Sequence, residues 1–158
     1  VTQQSTRIDA MILMGGTFSY TSESRAIHRE STMDALEPQF LDLLRTWHPR
    51  GEDQVRSLVN QFHRFKDSYD DVNFSLSTLA AIRARTLIIQ GDRDEFFPVS
   101  IALQMYQAIP RSFLWVIPNA SHVLFFKVFG STAPEDDVFP EVALDFLRGK
   151  WESNQQST

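Results

Sequence analysis

The 158-residue sequence predicts an α/β protein of about three parallel strands with flanking helices and an inserted helical segment. Three observations point there. Two short apolar runs, Thr86–Ile89 and Phe113–Ile117, stand on either side of a helical pattern, the rhythm of a parallel β-α-β unit. A third run, Ile8-Asp-Ala-Met-Ile-Leu-Met14, is almost continuously apolar and stops at Gly15-Gly16, as expected of a strand covered on both faces. Between that run and the other two, from Thr21 to about Leu79, the strand signal gives way to helical spacing.

Each element follows from local chemistry. Gly15-Gly-Thr17 after the first strand reads as a turn, with a phosphate or oxyanion loop as the weaker alternative. Pro38 suits a first helical position, and Phe40, Leu41, Leu44 and Trp47 follow on one face until His48-Pro-Arg-Gly51 breaks the pattern. Glu52 and Asp53 favour a new helix start electrostatically, and Val55, Leu58, Val59, Phe62 and Phe65 form one apolar stripe. Ser75-Leu-Ser-Thr78 is suited to cap a short helix running into Ala80-Ala81-Ile82. After the second strand, Pro98 opens a helix whose buried side is marked by Ile101, Met105 and Ile109, and Pro110 ends it. A polar loop is expected over Ser131–Asp137. A last helix carries Val138, Val142, Phe146 and Leu147, with Pro140 in its first turn, and Gly149 stops it before a solvated tail.

Composition narrows the function classes. A net charge of -5 argues against nucleic acid or an anionic membrane surface as partner, and no apolar run reaches the roughly 20 residues of a membrane span. With no cysteine there is no disulfide framework, thiol nucleophile or thiolate metal site, which fits a reducing compartment and a cytoplasmic protein. His28, His48 and His63 lack a second ligand at metal-binding spacing, so no metal role is expected of them. The chain opens on Val1, with no signal peptide, and reads as a trimmed or partly represented protein in which Thr2–Thr6 ends a helix begun elsewhere.

The chemistry concentrates just past two strand ends. Gly91 breaks the second strand and an acidic loop, Asp92-Arg-Asp-Glu95, follows; Asn119-Ala-Ser-His122 follows the third. Carboxyl ends of strands are where open α/β sheets place ligands and catalytic groups. An acid followed by a histidine is the tail of the triad order in α/β-hydrolases.

Arg83-Ala-Arg-Thr-Leu-Ile-Ile-Gln-Gly-Asp-Arg-Asp-Glu-Phe-Phe-Pro98 resembles the strand and loop that carry the acid of an α/β-hydrolase, and Ile117-Pro-Asn-Ala-Ser-His122 resembles the loop that carries its histidine. The resemblance runs from about Arg7 to Trp151 and matches only the second half of that fold. It implies that residues 1–20 and 79–151 are hydrolase core, that 21–78 are a helical cap, and that 152–158 are a disordered tail. It assigns the orienting acid to Asp94, with Asp92 and Glu95 as competing carboxylates, and the general base to His122. A small apolar ester or acyl substrate is implied, with Phe18, Phe96, Phe97, Val123 and Leu124 as candidate substrate-binding positions.

The nucleophile of that family sits in a Gly-x-Ser-x-Gly turn, and the sequence contains none; Gly130-Ser131 lacks the second glycine and comes after the histidine loop. The chain alone is therefore expected to be inactive, its activity requiring the first half of the fold. In the resemblance, Ile8–Met14 presents an unpaired apolar edge, to be met by the amino-terminal half of the same hydrolase or by a self-association partner. A non-catalytic interaction module derived from the same fold is the alternative.

Overall fold

The computed structural model describes residues 7–70, 72–124 and 135–151. The expected helix end at 2–6, the tail at 152–158 and most of the polar loop lie outside them. The rest of that expected loop, from Glu135, is the start of a helix. The chain divides into two compact units, one of Val1–Phe18 with Phe74–Thr158 and one of Ser19–Asn73.

The first unit is built on a three-stranded parallel sheet in the order β1-β2-β3, with β1 at Ala10–Met14, β2 at Arg85–Gly91 and β3 at Ser112–Ile117. The central strand is apolar throughout its middle because both its faces are covered: Leu87, Ile88 and Ile89 are 0%, 1% and 0% exposed. Each such side chain contributes about 1.5–3 kcal/mol on burial. Successive residues point to opposite faces. Leu87 and Ile89 accordingly join Ile117, Leu124 and Phe146 in one cluster, with Ile12, Phe113 and Trp115 packed against it. Ile88 faces the other way.

In chain order the helices are α1 (Ser22–Glu30), α2 (Pro38–Trp47), α3 (Glu52–Arg64), α4 (Leu76–Ala80), α5 (Val99–Ala108) and α6 (Glu135–Leu147). In the first unit α5 packs on β2, β3 and α4, burying Ile101, Ala102, Met105 and Ile109, and α6 packs against β1. The Ser75 side chain caps α4 by accepting from Thr78 N at 3.1 Å. Arg85 closes the end of α6 by donating to the carbonyls of Phe146 at 2.7 Å and Leu147 at 3.3 Å, where a cation also meets the negative helix end. Gly149 then turns the chain in the left-handed region at φ 80°.

Two local expectations change. Pro140 is the sixth residue of α6 and not part of its first turn, since the helix begins at Glu135. A proline there removes one backbone hydrogen bond, and the helix continues through it. Of its apolar residues, Phe146 is fully buried and Ala143 is 9% exposed, whereas Val138 and Leu147 are about half exposed. β1, expected to be covered on both faces, is only half-buried because it is an outer strand of this sheet, paired to β2 on one side.

The second unit holds α1, α2 and α3. Thr21 caps α1 through Ser24 N at 3.2 Å. Arg25, nearly buried, donates Nη1 to the carbonyls of Phe65 at 2.8 Å and Ser68 at 2.6 Å, and its guanidinium lies 4.0 Å from the Tyr69 ring centroid. This ties α1 to the turn that ends α3. Of the expected α3 stripe, Val55 and Val59 are buried, while Leu58 and Phe62 each keep more than a third of their surface exposed. α2 buries none of its residues, and Arg45 joins it to the start of α3 through Glu52 at 2.9 Å.

Candidate active site

β2 and β3 end level with each other, Gly91 beside Ile117, so the loops that leave them run side by side. Three backbone hydrogen bonds stitch this corner: Asp92 N to Ile117 O at 3.1 Å, Arg93 N to Ala120 O at 3.0 Å and Asp94 N to Gly91 O at 3.3 Å. Gly91 is required by space. A Cβ there would lie 2.2 Å from the carbonyl oxygen of Ala120 and 2.5 Å from that of Ser121. Asn119 takes φ 59°, a left-handed turn that asparagine tolerates better than most residues.

Within this corner Asp94 Oδ2 lies 2.9 Å from His122 Nδ1. Of the three carboxylates in the loop only Asp94 is buried, its side chain fully so. Asp92 is exposed, and Glu95 instead accepts the backbone N–H of His122 at 3.3 Å. The other oxygen of Asp94, Oδ1, accepts the backbone N–H groups of Phe96 and Phe97, each at 2.8 Å. Burial works against ionising Asp94, but the hydrogen bond from His122, the Phe97 N–H, the charge on His122 and the Phe96 N–H outweigh it. The carboxyl is therefore held below its ordinary range.

An ionised carboxylate can only accept, so Nδ1 of His122 carries the proton and Nε2 is the basic nitrogen. The imidazole is about a third exposed and packs against Phe96 and Phe97, with ring centroids 4.7 and 5.4 Å away. Its other neighbour comes from the end of β1. A Cβ on Gly15, which has φ 52°, would lie 3.3 Å from both Nδ1 and Cε1 of the ring. Gly15, the first of the two glycines after β1, thus has a close approach to His122, which the sequence pattern alone did not reveal.

The remaining candidate positions divide. Phe96 and Phe97 border the imidazole, and Val123 is exposed just beyond it. Leu124 is 5% exposed and belongs to the core cluster with Leu87, Ile89, Ile117 and Phe146. Phe18 is half-buried and accepts the backbone N–H of Phe74 at 2.9 Å, without contact to the Asp94–His122 pair given by any hydrogen bond or ring pairing described. Among the described residues no group of three or more His, Cys, Asp or Glu side chains is placed to hold a metal ion, and no helix is long and apolar enough to cross a membrane.

No family model matches the chain. Among curated proteins it is similar to a 2-hydroxy-6-oxononadienedioate/2-hydroxy-6-oxononatrienedioate hydrolase of Pseudomonas putida, at 26% identity over 90% of this chain and 55% of that protein. Among solved structures it is similar to a meta-cleavage product hydrolase from Pseudomonas fluorescens, at TM-score 0.57 and 18% identity, covering 94% of this chain and 59% of that one. It is also similar to a 2-hydroxy-6-oxo-6-phenylhexa-2,4-dienoate hydrolase from Rhodococcus, at TM-score 0.52 and 14% identity, covering 92% and 58%. The chain thus spans a little over half the length of the relatives it matches.

Proposed function

We propose that this chain, which carries the carboxyl-terminal part of the α/β-hydrolase fold, contributes the acid and the histidine of a hydrolytic triad. Asp94 fixes the tautomer of His122 and stabilises its cation, and Nε2 of His122 removes the proton of an attacking hydroxyl and later returns it to the leaving group. The observation that carries this reading is the 2.9 Å contact between a buried carboxylate and a partly exposed imidazole at the ends of two adjacent parallel strands. The nucleophile, for which the sequence has no Gly-x-Ser-x-Gly turn, comes from a polypeptide corresponding to the preceding part of the relatives. The outer edge of β1, where Met14 is 44% exposed, is the place for its next strand, or for a second copy of this chain.

The reaction we propose is hydrolysis at a carbonyl carbon through a covalent serine intermediate, with no cofactor. An ester or other acyl bond of an apolar substrate meets the chemistry of the pair, with Phe96, Phe97 and Val123 as the apolar border on this chain. The names of the relatives describe 6-oxo acids, which favours a carbon–carbon bond beside a ketone as a second substrate class.

The test is turnover of short acyl esters and of a 2-hydroxy-6-oxo dienoate by the purified protein together with whatever polypeptide accompanies it. His122→Ala and Asp94→Asn serve as comparisons, and a fluorophosphonate probe reports the reactive serine. Turnover lowered on the order of 10³-fold or more by both substitutions supports the reading. Turnover indifferent to both refutes it. Loss of partner binding in the His122 variant without any turnover would point to an interaction module.

A further inference from the structure

Gln90 is the anomaly of the central strand. It is fully buried at the penultimate position of β2, in a stretch otherwise apolar from Leu87 to Ile89, and by strand alternation it shares the face of Ile88. A buried amide is unfavourable unless its polar atoms are paired. Here the pairing is one-sided. Nε2 donates to Asp94 Oδ2 at 2.5 Å and to the carbonyl of Phe97 at 2.8 Å, while Oε1 has no partner among the described residues. The orientation is not ambiguous, since turning the amide over would set its oxygen against a carboxylate and a carbonyl, both acceptors only. The side chain is therefore placed for its NH₂ group.

We propose that Gln90 is the positioning residue of the Asp94–His122 pair, through the oxygen it shares with the imidazole. This rests on the triad reading above. Asp94 receives four donors: Phe96 N and Phe97 N on Oδ1, Gln90 Nε2 and His122 Nδ1 on Oδ2. The two backbone donors hold one oxygen, and Gln90 sets the rotation that brings the other to His122. Gln90 also draws on the negative charge of Oδ2, so the carboxylate binds the imidazole less strongly than it would with that lone pair unoccupied. The amide thus limits how strongly Asp94 holds the imidazole, and the Phe97 carbonyl anchors the amide in place.

The experiment reads the His122 Nδ1–H proton resonance at neutral pH and low temperature in isotope-labelled full-length chain, for the unsubstituted protein and for Asp94→Asn, Gln90→Met and Gln90→Glu. Gln90→Met keeps an unbranched side chain and removes the donor. The expected result is that this resonance moves downfield, as Oδ2 is left to His122 alone, and that the Asp94 carboxyl carbon titrates at higher pH. If Gln90→Met does not fold, Gln90→Glu sets a carboxyl against Asp94, and two carboxylates so close cannot both ionise. One of the two must then titrate above the usual carboxylate range of about 4.

A downfield resonance that survives Asp94→Asn would overturn the triad reading itself. A resonance lost in Asp94→Asn yet unmoved by Gln90→Met, or two ordinary carboxyl titrations in Gln90→Glu, would overturn only the role given to Gln90.

Discussion

Replacing Gly91 with alanine tests how closely the acid and histidine loops depend on each other. The added Cβ would meet the Ala120 carbonyl oxygen at 2.2 Å, the Ser121 oxygen at 2.5 Å and the Ala120 carbonyl carbon at 2.8 Å. All three are backbone atoms of the segment that carries His122, so no side chain can swing aside. Restoring ordinary contact near 3.4 Å requires that segment to retreat by about 1 Å. The retreat pulls on the Asp92–Ile117 and Arg93–Ala120 hydrogen bonds, already at 3.1 and 3.0 Å, and carries His122 with it. An Nδ1–Oδ2 contact of 2.9 Å stretched by about 1 Å is no longer a hydrogen bond. Overpacking of this kind costs about 1–3 kcal/mol in stability, and a misplacement of about 1 Å lowers turnover by roughly 10²-fold. Urea unfolding and the His122 Nδ1–H resonance measure the two effects. Gly16→Ala is the control, because a Cβ there meets nothing within 4 Å and its stability should change by no more than about 0.5 kcal/mol. A Gly91→Ala protein that matched Gly16→Ala in unfolding midpoint and kept its Nδ1–H resonance would refute the reasoning.

Three further outcomes are expected. The Asp94 carboxyl titrates lower folded than unfolded, so its stabilising effect is complete above about pH 3.9 and disappears as pH falls through the lower folded value; in Asp94→Asn, urea unfolding should show a flatter acid limb and a loss of about 1–3 kcal/mol at neutral pH. His28 is 1% exposed among Tyr20, Phe62 and Phe65 with neither ring nitrogen hydrogen-bonded among the described residues, and burial, then the charge of Arg25, lowers its pKa. The unfolded chain therefore binds its proton first: the protection of α1 amides, corrected for the pH dependence of intrinsic exchange, should be greatest above about pH 6.5 and fall as pH drops towards the folded value, a dependence that His28→Phe removes. Arg25→Lys keeps the charge but loses the guanidinium whose Nη1 reaches Phe65 O and Ser68 O and which lies over the Tyr69 ring, so hydrogen exchange at the end of α3 should report a loss of about 1.5–3 kcal/mol.

The strands and the pairing of an acid with a histidine were legible because both rest on local signals. Apolar runs that end on Gly15 and Gly91, and charged or polar loops after them, mark strands and their carboxyl ends wherever they occur. Which of Asp92, Asp94 and Glu95 faces His122 was not settled by composition of the loop, and the geometry separates them through burial and the two N–H donors at Phe96 and Phe97. Other features left no such trace. Gln90 looks like the end of an apolar run, and only its burial beside Asp94 shows that it is polar for a reason. Gly91 reads as a strand breaker, whereas what demands glycine is the neighbouring loop, 29 residues later at Ala120. Leu124 continues an apolar run after the histidine, a pattern that suits a pocket wall and the core cluster it joins equally well. Pro140 misled because proline is common in first turns, and α6 begins earlier and tolerates it.

The pair follows from strand adjacency more than from any single residue. Neighbouring parallel strands lie about 4.8 Å apart. With Gly91 level with Ile117, a side chain three residues past the first and one five residues past the second are brought to the same spot. The two backbone bonds between the loops, Asp92 N to Ile117 O and Arg93 N to Ala120 O, then leave them little room to separate, and Gln90 and the two backbone N–H groups hold the carboxylate rotation. Everything needed to orient His122 is thus supplied by β2, β3, their two loops and Gly15. In the proposed function His122 acts as a base, and a base accelerates acyl chemistry only with a hydroxyl within about 2.6–3.2 Å of it. The proposed function therefore depends on a nucleophile delivered to Nε2 of the imidazole that Asp94 holds.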